Sequence, residues 1–280
     1  MAGLLSGLAG LGLDNLENID IFEEPKKEKE KVQEEPPKIR EKDLVYDKTF
    51  ECPVCNTKFT AKIMKTGKAR LIATDQDLRA TYEGIDAVKY DVELCPRCGY
   101  AALTRYFGNL SSGQIKLIRE NISQKVHLHT YEGEVYTYDE ALERYQLCLA
   151  NAVVKRARAS EKAYICLKSA WLLRGYQEQL SAAGEGDDDK LTELKEKEST
   201  YLLNAYNGFM EAVQNEDFPM CGMDEMTINY LIAVLATRFK KYDVASKMIG
   251  TILTSTLVNA RMKDKARELK EQILTELKKK

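Results

Sequence analysis

The sequence predicts an α+β fold, with a small β zinc-ribbon-like domain followed by an all-α TPR-like helical array. Two Cys-x-x-Cys pairs, Cys52–Cys55 and Cys95–Cys98, lie among short β-like stretches. From residue 137 to the end, the apolar residues recur instead with the period of an α-helix. A change of period at one point in the chain indicates two segments of different architecture.

The composition is that of a soluble globular protein. The chain has 280 residues, of which 44% are hydrophobic and 31% charged, and its net charge of -2 gives no general attraction for nucleic acid or an anionic membrane. No stretch is long enough to span a membrane. Seven cysteines, with three of them scattered at Cys148, Cys166 and Cys221, do not resemble a disulfide framework, so we expect a reducing cytoplasm.

Two segments are expected before the folded part of the chain. Residues 1–22 form a Gly/Leu-rich strip with loosely helical leucines, and no Lys or Arg precedes Lys26, which argues against a secretory signal. The strip is either a tail or a cover for this protein's own core, or else a docking peptide or a weak membrane contact. Residues 23–43 are a charged, proline-containing run that we interpret as a linker.

Residues 44–110 are predicted to form the metal-binding domain. Residues 49–51 lead into the first cysteine pair, residues 58–64 lead out of it, and residues 88–94 lead into the second pair. Strand, cysteine turn, hairpin, strand and cysteine turn is the order of a zinc ribbon. The 39 residues from Asn56 to Leu94 exceed the usual spacing, which predicts an insertion at residues 74–87.

The cysteine pairs are predicted to bind one metal ion. Proline in the second position of each pair favours a tight turn, and Asn56 and Gly99, which follow the pairs, both tolerate positive φ. Four thiolates make a closed tetrahedral shell, so we predict structural Zn²⁺, with iron as the alternative metal. A redox switch that releases zinc would use the same ligands, namely Cys52, Cys55, Cys95 and Cys98.

Residues 111–136 are predicted to be a connector with a short helix, and residues 137–280 the helical domain. Capping boxes begin helices at Ser111 and Thr137, and residues 228–236 are apolar on nearly every side, as in a central helix. A plain helical bundle is the alternative to a TPR-like array. The spacings of TPR packing residues recur at Ile232, Ala233, Ala236, Phe239, Tyr242, Ala245 and Ile249.

Taken together, the Gly/Leu strip, the two cysteine turns, the stretch Asp75-Gln-Asp-Leu-Arg79 with Tyr82 and Tyr90, and the run from Cys95 to Ala102 resemble an uncharacterised bacterial family known as domain of unknown function 2225. The resemblance covers nearly the whole chain. It implies a bacterial, cytoplasmic protein with a zinc-ribbon-like head and a helical-repeat tail, and it implies no reaction.

The leading functional hypothesis is a non-enzymatic protein that binds zinc and engages a protein partner of unknown identity through its helices. The first alternative is nucleic-acid binding by the basic hairpin, where Phe59 could stack on a base. The sequence does not determine the oligomeric state of the protein. The hairpin's positive residues are Lys58, Lys62, Lys65, Lys68 and Arg70.

The second alternative is an enzyme of unknown reaction centred on Asp75, Asp77 and Arg79, because carboxylates beside arginine can hold a proton or a phosphate. An ordinary capped turn or ion pair contains the same residues. We therefore predict no catalytic and no cofactor-binding residue. His127 and His129 are expected at the surface, Cys148 and Cys166 in the core, and Cys221 is the most plausible reactive thiol.

Overall fold

The computed structural model describes residues 39–278, so the predicted Gly/Leu strip and most of the predicted linker lie outside the described residues. The α+β class is confirmed, with small antiparallel sheets followed by a helical array. The strands are β1 (Val45–Glu51), β2 (Lys58–Met64), β3 (Leu71–Thr74), β4 (Ala80–Tyr82), β5 (Val92–Leu94) and β6 (Ala101–Leu103). The helices of the described residues are α1 (Ser112–Ile118), α2 (Tyr138–Val154), α3 (Ala159–Ala183), α4 (Asp188–Asn215), α5 (Glu225–Arg238), α6 (Tyr242–Thr254) and α7 (Ala260–Lys278).

Each cysteine pair forms the connection of its own two-stranded hairpin. Strands β1 and β2 pair in register from Val45 opposite Met64 to Glu51 opposite Lys58, and the first cysteine turn joins them. Strands β5 and β6 pair from Val92 opposite Leu103, and the second turn joins those. The hairpin β3–β4 is inserted between them, with a register irregularity between Leu71 and Ala73.

The strand predicted over residues 88–94 is shorter in the structure. Residues Ala87–Tyr90 form a 3₁₀ turn, because the Asp86 side chain accepts a hydrogen bond from the Val88 N–H at 3.0 Å and begins a helical turn there. The strand period starts only at Val92. The linker's last residues are also described: Glu41 begins a 3₁₀ turn and accepts a hydrogen bond from the Tyr90 hydroxyl at 2.8 Å.

The helix starts follow the predicted capping residues. Ser111 and Gln114 form a reciprocal capping box at α1. The Thr137 hydroxyl accepts from the Glu140 N–H, but the Glu140 carboxylate turns to Arg144 instead of completing the box. Helix α1 is followed by a π-helical turn at Arg119–Ser123.

Successive helices of the array pack against one another, from α2 with α3 to α6 with α7. Ten consecutive residues of α5, numbers 228–237, are buried, which agrees with the prediction of a central helix. Small residues bring α3 and α4 close: a Cβ at Gly208 would lie 2.8 Å from the Ala163 Cβ. Among residues 39–278, no helix combines the length and hydropathy that a membrane crossing requires.

The main core extends from the head into the helices. Val88, Val92 and Leu103 of the head belong to the same buried cluster as Tyr145 and Phe209 of the array. A smaller cluster surrounds the four paired cysteines. The packing shows that the head and the helices bury apolar surface together.

Phe209 on α4 is fully buried, so replacing it tests whether the array depends on this core. We expect Phe209→Ala to lower the free energy of unfolding by about 3–5 kcal/mol, because the substitution removes buried ring contacts and leaves a cavity. Urea unfolding followed by circular dichroism measures the change. The control is Leu203→Ala on the same helix. The Leu203 side chain is 38% exposed, so its truncation should lower the free energy of unfolding by under about 1 kcal/mol. Equal losses of unfolding free energy in the two variants would contradict the assignment of Phe209 to the core.

Candidate metal centre

The two cysteine turns have the same backbone geometry. In the first, the Asn56 N–H donates to the Cys52 carbonyl at 2.8 Å, and in the second the Gly99 N–H donates to the Cys95 carbonyl at 3.0 Å. Asn56 has φ of 57° and Gly99 has φ of 68°, as the residue types predicted. Each turn therefore directs its two thiols to the same side of its hairpin.

The four sulfur atoms converge. All lie within 4.8 Å of one another, and the Cys52–Cys98 and Cys55–Cys95 sulfur pairs are each 3.6 Å apart. With metal–sulfur bonds of about 2.3 Å, a regular tetrahedron places its sulfurs about 3.8 Å apart. A disulfide would need about 2.05 Å, and all four cysteines are free. These four close cysteines can hold a metal ion.

The thiols also affect one another's protonation. Hydrogen bonds with Cys52 and Cys95, together with burial, raise the pKa of the Cys98 thiol well above its ordinary value. Hydrogen bonds with Cys52 and Cys98 lower the pKa of Cys95. In the absence of a cation, one thiolate is thus stabilised by protons on its neighbours. A bound divalent cation would replace those protons and allow all four sulfurs to ionise.

Side chains from the helices hold the two cysteine turns in place. Arg119, in the π-helical turn after α1, donates to the Val54 carbonyl through Nε at 2.9 Å and again through Nη2. Asn151 of α2 donates to the Gly99 carbonyl at 2.9 Å. A Cβ at Gly99 would lie only 2.7 Å from the Val126 side chain, so the second turn tolerates no larger residue. These contacts fix the orientation of both thiol pairs.

Sequence analysis did not identify Arg119 and Asn151. Asn151 could have been recognised as a polar residue between apolar neighbours on α2, where an unexplained amide needs a hydrogen-bond partner. Arg119 carries no comparable signal, because its partner Val54 lies 65 residues away.

An aromatic layer adjoins the sulfurs. Phe59 and Phe107 meet edge to face at 5.8 Å between ring centres, and Tyr100 packs on Phe107 at 5.0 Å. The buried Tyr100 hydroxyl donates to the Phe107 carbonyl at 3.0 Å, so its polar group is satisfied. Cys52, Cys95 and Cys98 are buried beside this layer, and Cys55 is half-buried. The surroundings leave little room for a substrate at the sulfurs.

The acidic cluster of the insertion is brought together and is paired. Arg174 of α3 bonds Asp75 at 2.8 Å and Asp77 at 2.7 Å. Arg79 instead pairs with Glu178 at 2.5 Å, with Asp75 3.7 Å away. Asp77 and Arg79 are buried. Neither aspartate is left as the unpaired carboxylate that a general base requires.

The positive side chains of the basic hairpin fall into two groups in the structure, those with partners and those without. Lys62 pairs with Asp47 at 3.3 Å, and Lys65 donates to the Asp43 carbonyl at 2.9 Å. The side chains of Lys58, Lys68 and Arg70 form no hydrogen bond or ion pair within the described part of the chain, and all three residues are exposed.

The remaining candidates lie away from the four sulfurs. Both histidines are exposed, as expected, and His129 contacts Glu143 at 2.7 Å. Cys148 and Cys166 are buried in the helical core, as expected. The Cys221 thiol is buried and donates to the Ser160 carbonyl at 3.2 Å. Burial raises its pKa, so it is protonated at neutral pH and is a poor nucleophile.

Comparison with known proteins gives a match over most of the chain. A sequence model described as an uncharacterized protein conserved in bacteria, DUF2225, matches residues 45–273. An uncharacterized protein of Borreliella burgdorferi is 27% identical over 89 residues, which covers 29% of this chain and 32% of that protein. The chain thus aligns with about a third of that relative's length. No solved structure matches.

The ion pairs of Arg174 give a test of the insertion's attachment. We expect Arg174→Met to lower the free energy of unfolding by about 3–5 kcal/mol, because the variant leaves buried Asp77 without its cation and removes the nearer of the two cations of buried Glu198. The control is Arg238→Met: Arg238 lies 3.6 Å from the same Glu198 but is 44% exposed, so its loss should cost under about 1 kcal/mol. Urea unfolding compares them, and similar costs would show that the Arg174 pairs are not stabilising.

Proposed function

The chain belongs to DUF2225, a family of uncharacterised proteins conserved in bacteria, and from this premise we propose that it is a non-enzymatic zinc-binding protein that mediates protein–protein interaction through its helical domain. The observation that carries the metal part is the convergence of four thiols from two hairpins. The interaction part is supported by a groove along the helices. A cytoplasmic location agrees with seven free cysteines.

We assign the site to Zn²⁺ held by Cys52, Cys55, Cys95 and Cys98. Soft thiolates favour zinc or iron over hard cations, and the sulfur separations suit a tetrahedral ion. Four protein ligands complete the shell of such an ion and leave no open position for substrate or water. The metal's proposed role is therefore structural, and iron is the alternative guest.

The energetic argument supports a metal-dependent head of zinc-ribbon type. Closing the 39 residues from Asn56 to Leu94 costs on the order of 3 kcal/mol in chain entropy. Structural zinc contributes apparent binding of roughly 10–16 kcal/mol. The apolar cluster around the sulfurs adds many smaller contributions, and the proposed metal is the largest single contribution to holding the two hairpins together.

The interaction surface we propose is a groove of about 750 Å³ between α2, α3 and α4. Val153, which is 58% exposed, Leu149 and Tyr201 supply apolar lining. Asn204 and Asn207 add side-chain amides that can bond a peptide backbone. Helices that each pack on the next, with small buried alanines between them, support a TPR-like array, an architecture that presents extended binding surfaces.

The alternatives have less support. Nucleic-acid binding retains three exposed cations, Lys58, Lys68 and Arg70, whereas Lys62 and Lys65 already have partners. An enzyme centred on Asp75, Asp77 and Arg79 would have to break ion pairs before either aspartate could accept a proton.

Metal content tests the zinc assignment. We expect elemental analysis of the purified chain to give one zinc per molecule, and Cys95→Ser to reduce this several-fold because a neutral hydroxyl binds zinc poorly. Chelation should then accelerate amide hydrogen exchange over residues 44–107 more than in α3 and α4, which do not contact the metal.

The control is Cys166→Ala, which removes a buried thiol outside the site and should keep one zinc per molecule. Stoichiometric iron in place of zinc would identify the bound metal as iron and leave its proposed structural role unchanged. Absence of both metals, or unchanged exchange after verified metal removal, would contradict the proposal.

Affinity capture from a bacterial lysate tests the partner surface. We expect a partner retained by the wild-type chain to be lost from Val153→Glu, because the substitution places a charge on the apolar lining of the groove. The control is Leu257→Glu, at a residue that is 94% exposed and does not line the groove. If a partner is retained by Val153→Glu but lost on deletion of residues 1–22, the interface lies on the Gly/Leu strip and not in the groove.

A further inference from the structure

A second cavity, separate from both the cysteine site and the helical groove, lies where three connections meet. It has a volume of about 550 Å³ and is lined by the segment after β6, the connection between α2 and α3, and the connection between α4 and α5. None of the four paired cysteines and none of the groove-lining side chains named above belongs to it. Its size is within the range of small-molecule sites.

Three arginines line this cavity: Arg105, Arg156 and Arg158. Arg105 is fixed, since Nη1 donates to the Cys221 carbonyl. The space that Arg105 occupies is open because residue 222 is glycine; a Cβ there would collide with Nη2. Within residues 39–278, the guanidinium groups of Arg156 and Arg158 form no hydrogen bond and no ion pair, although each carries several donors. Two arginines at the cavity are thus free to bind a ligand.

The acidic residues of the cavity are mostly occupied. Glu161 pairs with the buried Lys155 at 2.7 Å. The Glu216 carboxylate accepts the Ser160 N–H at 3.0 Å and the Ser160 hydroxyl at 2.5 Å. Asp217 is exposed. Once Glu161 is paired with Lys155, three arginines remain against Glu216 and Asp217, so the cavity keeps an excess of one positive charge.

The backbone around the cavity is held in an unusual conformation. Arg156 has φ of 54° and Cys221 has φ of 51°, so two of the cavity's lining residues are non-glycine residues in the left-handed region. Such conformations persist where the surrounding structure fixes them, and they cluster at ligand sites. The arginines therefore project from connections of defined shape.

We propose that this cavity binds a small molecule bearing a phosphate group. Guanidinium groups bind phosphate oxygens in pairs, and two unpaired arginines beside a third, fixed arginine supply several such donors. A cavity of about 550 Å³ is larger than a bare phosphate, so the ligand carries further atoms that meet its polar lining. The proposed binding of this ligand involves neither the metal site nor the helical groove.

Calorimetric titration of the zinc-loaded full-length chain tests the proposal, with inorganic phosphate, pyrophosphate and AMP as probes at about 50 mM NaCl, where screening is weak. We expect binding of at least one probe, and at least tenfold weaker binding by the double variant Arg156→Gln/Arg158→Gln. Both side chains are exposed and have no partner among residues 39–278, so the fold should survive, which circular dichroism and metal content verify.

The matched control is Arg261→Gln, which removes an exposed arginine of α7 that also has no partner within the described residues. Its affinity should equal that of the wild-type chain. Titrations that detect no binding of any probe, affinity that is unchanged in the double variant, or equal losses in the double variant and the control would each overturn the proposal.

Discussion

The convergence of four thiols from two separate hairpins is the constraint on which the head depends. Like groups at these distances do not ionise together without a cation, and the opposite pKa shifts of Cys95 and Cys98 express that conflict. Each hairpin alone is a two-stranded sheet, which has marginal stability in water. A shared ion at the proposed site would join the two hairpins at their turns.

The helices complete this arrangement. Arg119 and Asn151 donate to carbonyls inside the two cysteine turns, one turn each. Val92 and Leu103 of the second hairpin also belong to the core that continues into the array. Loss of the proposed metal would therefore perturb α1 and α2, whereas α5, which is buried over ten residues, keeps its own packing.

Local chemistry predicted local features well. Three predicted features depend only on neighbouring residues, and each is observed: the tight turns at the cysteine pairs, the positive φ of Asn56 and Gly99, and the start of α1 at Ser111. The limits were set by long-range partners. Nothing in a single sequence links Arg174 with Asp75, which is 99 residues away. The 3₁₀ turn that shortens β5 depends on the Asp86 cap, a signal that competed with the apolar alternation of residues 88–94.

The inserted hairpin combines a small amount of apolar packing with buried charges. All four side chains of β3 are exposed, including Ile72 at 62%, and the apolar contacts come from Leu78 in the connection and Tyr82 of β4. Its connection is attached to the helices by Arg174, which bonds Asp75, Asp77 and Glu198 together. Buried ion pairs add little net stability compared with apolar contacts, but they penalise every arrangement that leaves a charge unpaired. Such a penalty disfavours every orientation of the hairpin that separates Asp75 and Asp77 from Arg174, in addition to what the apolar contacts favour.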